Sequence, residues 1–179
     1  MPTTACILTG PESDKKLLGL TLLERQLLSL ARAGFTRLFV VADPDGPVPA
    51  RLAASRALAR KGVVPRLLVK KTAGLPAAGG SVLVVPAAAV FDWRGAQALT
   101  GEKKTKVEYL DLQGNHGITL LPVAAADTLV RNRLAGKPAA ARSGKGVPFP
   151  GWGMISDALR NRRRARRELL VSMRKPTDG

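Results

Sequence analysis

The first half of this chain contains four short, almost wholly apolar segments. Between the first two lies a segment whose apolar residues recur at helical spacing. The apolar segments are residues 4–10, 36–42, 66–70 and 81–85, and helical spacing is clearest in residues 17–33. Strands that are apolar on both faces are typical of parallel sheets covered by helices on both sides. The pattern therefore predicts an α/β fold, a Rossmann-like three-layer sandwich with a mostly parallel sheet.

The rest of the chain extends this domain and adds a basic segment. Further predicted elements are a helix from about 49 to 61, strands at 106–111 and 117–122, and a helix at 123–134. Residues 135–151 carry glycine, proline and lysine without an apolar period, and we interpret them as a loop or linker. We expect an α/β domain over residues 1–151 and a basic C-terminal helix and junction over residues 152–179.

The net charge of the 179-residue chain is +16, and it is concentrated near the C-terminus. Residues 131–179 contribute a net +10, whereas residues 1–130 contribute +6. Within a predicted helix at 157–173, an interrupted apolar stripe is surrounded by arginines, the candidate contacts for phosphate or a membrane surface: Arg160, Arg162, Arg163, Arg164, Arg166 and Arg167. Three interpretations stay open: a solvated helix docked on the domain, a helix on an anionic membrane surface, and a nucleic-acid contact. The aromatic content of 4% disfavours the last, because few stacking platforms are available.

Cys6 and His116 are each the single residue of their type. This excludes a zinc finger, a disulfide framework, a Cys/His nucleophile pair and a multi-histidine metal site. We expect Cys6 in the core and His116 in a turn. No apolar run approaches the roughly 20 residues of a membrane span, and the first residues lack the pattern of a signal peptide. We therefore expect a cytoplasmic protein.

Two segments resemble a known family. Residues 15–41, KKLLGLTLLERQLLSLARAGFTRLFVV, look like the opening of the nucleotidyltransferases that join sugar or inositol phosphates to nucleotides. Residues 166–179, RRELLVSMRKPTDG, resemble the junction after the cytidylyltransferase domain in bifunctional inositol-phosphate cytidylyltransferase/CDP-alcohol phosphatidyltransferase proteins. The resemblance implies a GT-A type nucleotidyltransferase-like domain. It also implies a membrane-embedded CDP-alcohol phosphatidyltransferase domain as partner, in cis beyond Gly179 or in trans, at the inner face of the membrane.

The loop that the resemblance assigns to the triphosphate is altered here. In the family a glycine-rich loop presents backbone N–H groups to the phosphates, and a lysine follows it. The corresponding residues 8–16, LTGPESDKK, contain one glycine, no arginine and two acids, which suits a triphosphate poorly. What remains as candidate nucleotide-binding residues is Thr9, Gly10, Lys15 and Lys16.

Both Mg²⁺ positions that the resemblance implies also carry other residues. The first falls on Ala88 in VLVVPAAAVFD, and the second on Met154 and Ser156 in WGMISDA. A methyl group cannot ligate magnesium. The remaining weak metal candidates are Asp43, Asp92 and Asp157, of which Asp43 also suits an ordinary turn. No catalytic residue is assigned.

Three functions stay open on these grounds. The first is a catalytically degenerate module of a CDP-alcohol phosphatidyltransferase system in phospholipid headgroup synthesis, with no cofactor. The second is an active cytidylyltransferase that uses Mg²⁺ and CTP to activate a polyol or sugar phosphate. The third is a nucleic-acid-binding protein that uses the arginine-rich helix.

Overall fold

The computed structural model describes residues 3–43, 45–69, 74–75, 80–100, 102, 106–137, 146–151 and 153–174. Its strands are β1 (Thr4–Leu8), β2 (Lys16–Leu17), β3 (Leu20–Thr21), β4 (Arg37–Val41), β5 (Arg66–Leu68), β6 (Ser81–Pro86), β7 (Val90–Phe91), β8 (Val107–Leu110), β9 (His116–Pro122), β10 (Val147–Pro148) and β11 (Met154–Ile155). Its helices are α1 (Leu22–Arg32), α2 (Val48–Ala53), α3 (Arg56–Arg60), α4 (Trp93–Thr100), α5 (Val123–Leu134) and α6 (Arg162–Arg174).

A seven-stranded sheet in the order β10-β8-β9-β6-β1-β4-β5 forms the centre of the molecule. Strands β5, β4, β1 and β6 run parallel, β9 is antiparallel to both β6 and β8, and β10 is parallel to β8. The mostly parallel sheet confirms the predicted α/β, Rossmann-like class. Strands β4 and β5, which follow β1 in the parallel part of the sheet, lie on one side of it, and β6 lies on its other side. Ligands of such sheets bind at this switch point, beyond the carboxyl ends of the strands.

The two faces of the sheet are covered by different helices. Along β1, Ala5 and Ile7 face a core cluster that includes residues of α1, α3 and α4, whereas Cys6 faces a second cluster with Ala126 and Val130 of α5. The core position predicted for Cys6 is confirmed, and burial raises the pKa of its thiol to about 12. The turn position predicted for His116 is wrong, because His116 is the first residue of β9.

Helix α1 begins later than its sequence pattern predicts. Thr21 and Glu24 form a reciprocal capping box: Glu24 N donates to Thr21 Oγ1 over 3.1 Å, and Thr21 N donates to Glu24 Oε2 over 2.8 Å. The helix therefore starts at Leu22, and residues 16–21 form the β2–β3 hairpin instead. Buried Arg25 fixes that hairpin, since its Nε donates to the Leu17 carbonyl over 2.6 Å.

Two other sequence predictions are corrected. Residues 135–151 were interpreted as a loop or linker, but Val147–Pro148 form β10, which pairs with β8, and Phe149 is buried against Tyr109. Residues 138–145 lie outside the described residues. The helix predicted over residues 49–61 is divided into α2 and α3 at Ser55, whose hydroxyl caps α3 and donates to Glu24 Oε1 over 2.6 Å.

Replacing Gly95 with alanine is expected to lower the free energy of unfolding by about 2 kcal/mol. A Cβ at this position in α4 would overlap the Phe149 ring and the Pro150 carbonyl oxygen. This overlap outweighs the roughly 1 kcal/mol that alanine gains over glycine in a helix. Urea unfolding measures the change, with Gln97→Ala on the exposed side of α4 as the control. Equal or greater stability of the Gly95→Ala protein would contradict the close approach of Phe149 and Pro150, just after β10, to α4.

Candidate functional site

The loop that follows β1 at the carboxyl edge of the sheet is closed on itself. Gly10 N donates to Ser13 Oγ over 3.1 Å, and Ser13 N returns a hydrogen bond to the Gly10 carbonyl over 3.0 Å. Lys15 N donates to the Glu12 carbonyl over 2.9 Å, and Thr9 N donates to the Val41 carbonyl over 3.1 Å. These N–H groups are satisfied within the chain, so they are not presented to a phosphate.

The space beside Gly10 is also occupied. A Cβ built at Gly10 would lie 3.1 Å from Glu12 Oε2 and 3.3 Å from Ala87 Cβ. Arg133, from the last turn of α5, donates from Nη2 to the Thr9 carbonyl over 2.8 Å. A carboxylate thus faces the place where a triphosphate would need positive charge, and the nearby guanidinium binds the backbone. Arg133 was not predicted from the sequence, where its one signal is a basic residue in the last turn of a predicted helix.

The loop after β6, which contains the first implied metal position, is held by hydrogen bonds to its carbonyls. Gln26 of α1 is 1% exposed, and its Nε2 donates to the carbonyls of residues 86, 87 and 89 over 2.8, 3.2 and 2.8 Å. Ala158 N donates to the Ala88 carbonyl over 2.9 Å. The two segments that would bring metal-binding acids together in the resembled family therefore meet through a backbone hydrogen bond between two alanines.

The residues at the second implied metal position are also engaged elsewhere. Met154 is buried in the core, and Ser156 donates from both its backbone N and its Oγ to Asp111 Oδ2, over 3.1 and 2.7 Å. Asp157 accepts from Arg160 N over 3.2 Å and pairs with the Arg160 guanidinium at 3.3 Å. It acts as the cap of a turn.

Asp111 is a buried carboxylate that the sequence analysis did not single out. Its Oδ1 accepts from Gln113 N over 2.8 Å and from Asn115 N over 2.9 Å, in addition to the two bonds from Ser156. Burial by itself raises the pKa of Asp111, but the hydrogen bonds from Ser156, Asn115 and Gln113 outweigh it, so the pKa lies below its ordinary value. The carboxylate ties the β8–β9 turn to the segment after β11.

The other predicted ligands do not converge. Asp43 is exposed and accepts from Asp45 N over 3.1 Å, as the turn interpretation predicts. Asp92 is buried, accepts from Arg94 N over 2.9 Å and lies 3.6 Å from the Arg94 guanidinium. Within the described ranges, no three His, Cys, Asp or Glu side chains are grouped so as to hold a metal ion. Lys15 is exposed beside the closed loop.

Helix α6 joins the domain through one side. Ala165 and Leu169 pack in a cluster with Leu17, Val90 and Ile155. Of the predicted phosphate contacts, Arg160 pairs with Asp157 and Arg162 reaches the Lys16 carbonyl over 3.5 Å. All six arginines are exposed, including the other four: Arg163, Arg164, Arg166 and Arg167. Among the described residues, no helix is both long and apolar enough to cross a membrane.

Comparison with known proteins agrees with the fold. No family model and no curated protein matches the chain. A structure assigned as a glucose-1-phosphate thymidylyltransferase from Bacillus anthracis, solved with sucrose, superposes with a TM-score of 0.55 at 11% identity over 98% of this chain and 97% of that one. The 4-diphosphocytidyl-2C-methyl-D-erythritol synthase from Anaerococcus prevotii gives a TM-score of 0.55 at 14% identity over 93% and 97%. At these identities the likeness establishes a nucleotidyltransferase-like fold alone.

Proposed function

We propose that this chain is a catalytically silent nucleotidyltransferase-like module of a CDP-alcohol phosphatidyltransferase system that makes phospholipid headgroups. The observation that supports the silent state is the contact between the two segments that contain the implied metal positions. There the Ala88 carbonyl accepts from Ala158 N, and Gln26 binds the neighbouring carbonyls. No carboxylate side chain belongs to this contact.

Nucleotidyl transfer depends on positioning the phosphates and neutralising their charge at the attacked phosphorus. Backbone N–H groups, cations and metal ions supply that neutralisation in enzymes of this kind. Here the Gly10 N–H is bonded to Ser13, and the Glu12 carboxylate lies beside Gly10. The loop therefore does not present the Gly10 N–H to a triphosphate, and it places a carboxylate where positive charge is needed.

The proposed partner is the membrane domain of a CDP-alcohol phosphatidyltransferase, in cis or in trans. Support comes from the resemblance of residues 166–179 to the junction that precedes such a domain, of which residues 175–179 lie outside the described residues. In this role the α/β domain packs against or tethers the transferase at the inner face of the membrane. It carries no chemistry of its own.

The competing function is an active cytidylyltransferase. The name of the Anaerococcus prevotii neighbour describes a cytidyl-bearing product, which makes CTP the first nucleotide to test. In that case Mg²⁺ would have to bind ligands other than the residues at the two implied positions.

A pyrophosphate-release assay separates the two functions. The purified chain is incubated with Mg²⁺, CTP or ATP, and a panel of polyol and sugar phosphates, beside a Lys15→Ala/Lys16→Ala variant. We expect no release above the protein-free blank for either protein. Mg²⁺-dependent release that disappears in the double variant would instead establish an enzyme.

Co-purification with a membrane transferase domain tests the proposed partner, and failure to associate would reject that role.

A further inference from the structure

The side of α6 that points away from the domain combines positive charge with exposed apolar groups. Five residues at i, i+3, i+4, i+7 and i+8 spacing share this side, which we call the outer face of α6: Arg163, Arg166, Arg167, Leu170 and Val171. All five are exposed, with Leu170 at 42% and Val171 at 43%. The opposite side of the helix is already occupied, since Ala165 and Leu169 pack on the domain.

The charge on the outer face is not neutralised by its neighbours. Across the part of the chain that the structure describes, Arg163, Arg166 and Arg167 have neither an ion pair nor a hydrogen bond from their side chains. Glu168 lies on the domain side of α6, where it lines a small cavity together with Leu169. The outer face is therefore a surface of three guanidinium groups without an acid.

We infer that the outer face of α6 binds the surface of an anionic phospholipid bilayer. Guanidinium groups attract lipid phosphates, and aliphatic side chains on the same face of a helix enter the boundary between headgroups and acyl chains. Along the outer face, the three arginines come first in the sequence, and Leu170 and Val171 lie nearer the C-terminal end of α6. The helix thus meets the bilayer with its C-terminal end deepest.

The apolar groups favour a lipid surface over nucleic acid. Nucleic-acid binding would use the arginines but leave Leu170 and Val171 against a polar phosphate backbone. Residues 162–174 also contain no aromatic side chain on which a base could stack. The inference goes beyond the proposed function and stands on α6 alone, so it holds or fails independently of nucleotide turnover.

Vesicle co-sedimentation of the full 179-residue chain tests the inference at one ionic strength. Vesicles of phosphatidylcholine alone are compared with vesicles that also contain phosphatidylglycerol. We expect binding to the anionic vesicles only. The Arg163→Gln/Arg166→Gln/Arg167→Gln variant is expected to lose about a hundredfold in affinity, at roughly fivefold for each basic residue near the surface.

A matched variant removes the same charge elsewhere. Arg37, Arg56 and Arg60 are exposed on other elements, and replacing all three with glutamine gives the same net charge as the α6 variant. This control is expected to bind anionic vesicles nearly as well as the unmodified chain. An equal loss in the two triple variants would overturn the inference, because binding would then follow net charge rather than the outer face.

A second variant tests the apolar half of the face. Leu170→Ser/Val171→Ser is expected to weaken binding to anionic vesicles about tenfold or more, since each buried methylene contributes to membrane affinity. Binding of this variant to duplex DNA and single-stranded RNA is measured in parallel. Nucleic-acid binding tighter than vesicle binding and insensitive to the serine substitutions would overturn the inference. All substitutions fall at exposed positions, and circular dichroism verifies that each variant is folded.

Discussion

Replacing Gln26 with leucine is expected to lower the free energy of unfolding by about 3 kcal/mol. The leucine side chain fills a similar volume but donates no hydrogen bond, so the carbonyls of Pro86, Ala87 and Ala89 lose their shared donor. A buried polar group left without a partner costs about 1–3 kcal/mol. Urea unfolding followed by circular dichroism measures the change at neutral pH.

The control for this prediction is the same substitution on an exposed surface. Gln97→Leu, on the solvent side of α4, is expected to change the free energy of unfolding by no more than about 0.5 kcal/mol. If Gln26→Leu were as mild as Gln97→Leu, the carbonyls of the loop after β6 would not depend on Gln26. The conclusion that Gln26 holds this loop in place would then be wrong.

Replacing Asp111 with asparagine is expected to lower the free energy of unfolding by about 2–3 kcal/mol at neutral pH. The carboxylate accepts hydrogen bonds from Gln113, Asn115 and Ser156 through both of its oxygens. Asparagine keeps one acceptor oxygen but turns an amide donor toward groups that also donate. The change is measured by urea unfolding, with Asp45→Asn in an exposed turn as the control.

The effect of Asp111 also depends on pH in a defined direction. Burial raises the pKa of Asp111, but its hydrogen bonds lower that pKa by more. The pKa in the folded protein therefore lies below the unfolded value of about 3.9. Stability from this group is therefore full above that value and is lost as the pH falls through the folded pKa. The difference between the unmodified chain and Asp111→Asn should shrink in acid. A difference that is constant down to strongly acidic pH would contradict the role of the carboxylate.

The sequence predicted the elements whose signal is local. Strands β1, β4 and β6 were found because each is an apolar run, and α1 because its apolar residues recur at helical spacing. The β2–β3 hairpin and β10 were missed, because strands of two residues have no period to detect. Leu17 was assigned to a helix for the same reason, although it belongs to β2 and packs with Val90 and Ile155.

In the candidate site too, only the features with a local signal could be predicted from the sequence. Ala88 and the altered loop after β1 could be identified from the sequence, because their residue types differ from those of the resembled family. Gln26, Arg133 and Asp111 were not, because what matters is their partners, which lie 60, 124 and 45 residues away at Pro86, Thr9 and Ser156. Contacts over such separations depend on the completed sheet and leave no local pattern in the sequence.

Calorimetric titration with CTP and ATP in the presence of Mg²⁺ shows whether the carboxyl edge of the sheet accepts a nucleotide. The protein is used at a concentration that detects sub-millimolar affinity, beside the Lys15→Ala/Lys16→Ala variant. We expect no saturable heat of binding for either nucleotide or either protein. Mg²⁺-dependent binding of CTP that is lost in the double variant would contradict the account, because the loop after β1 would then open to receive a triphosphate.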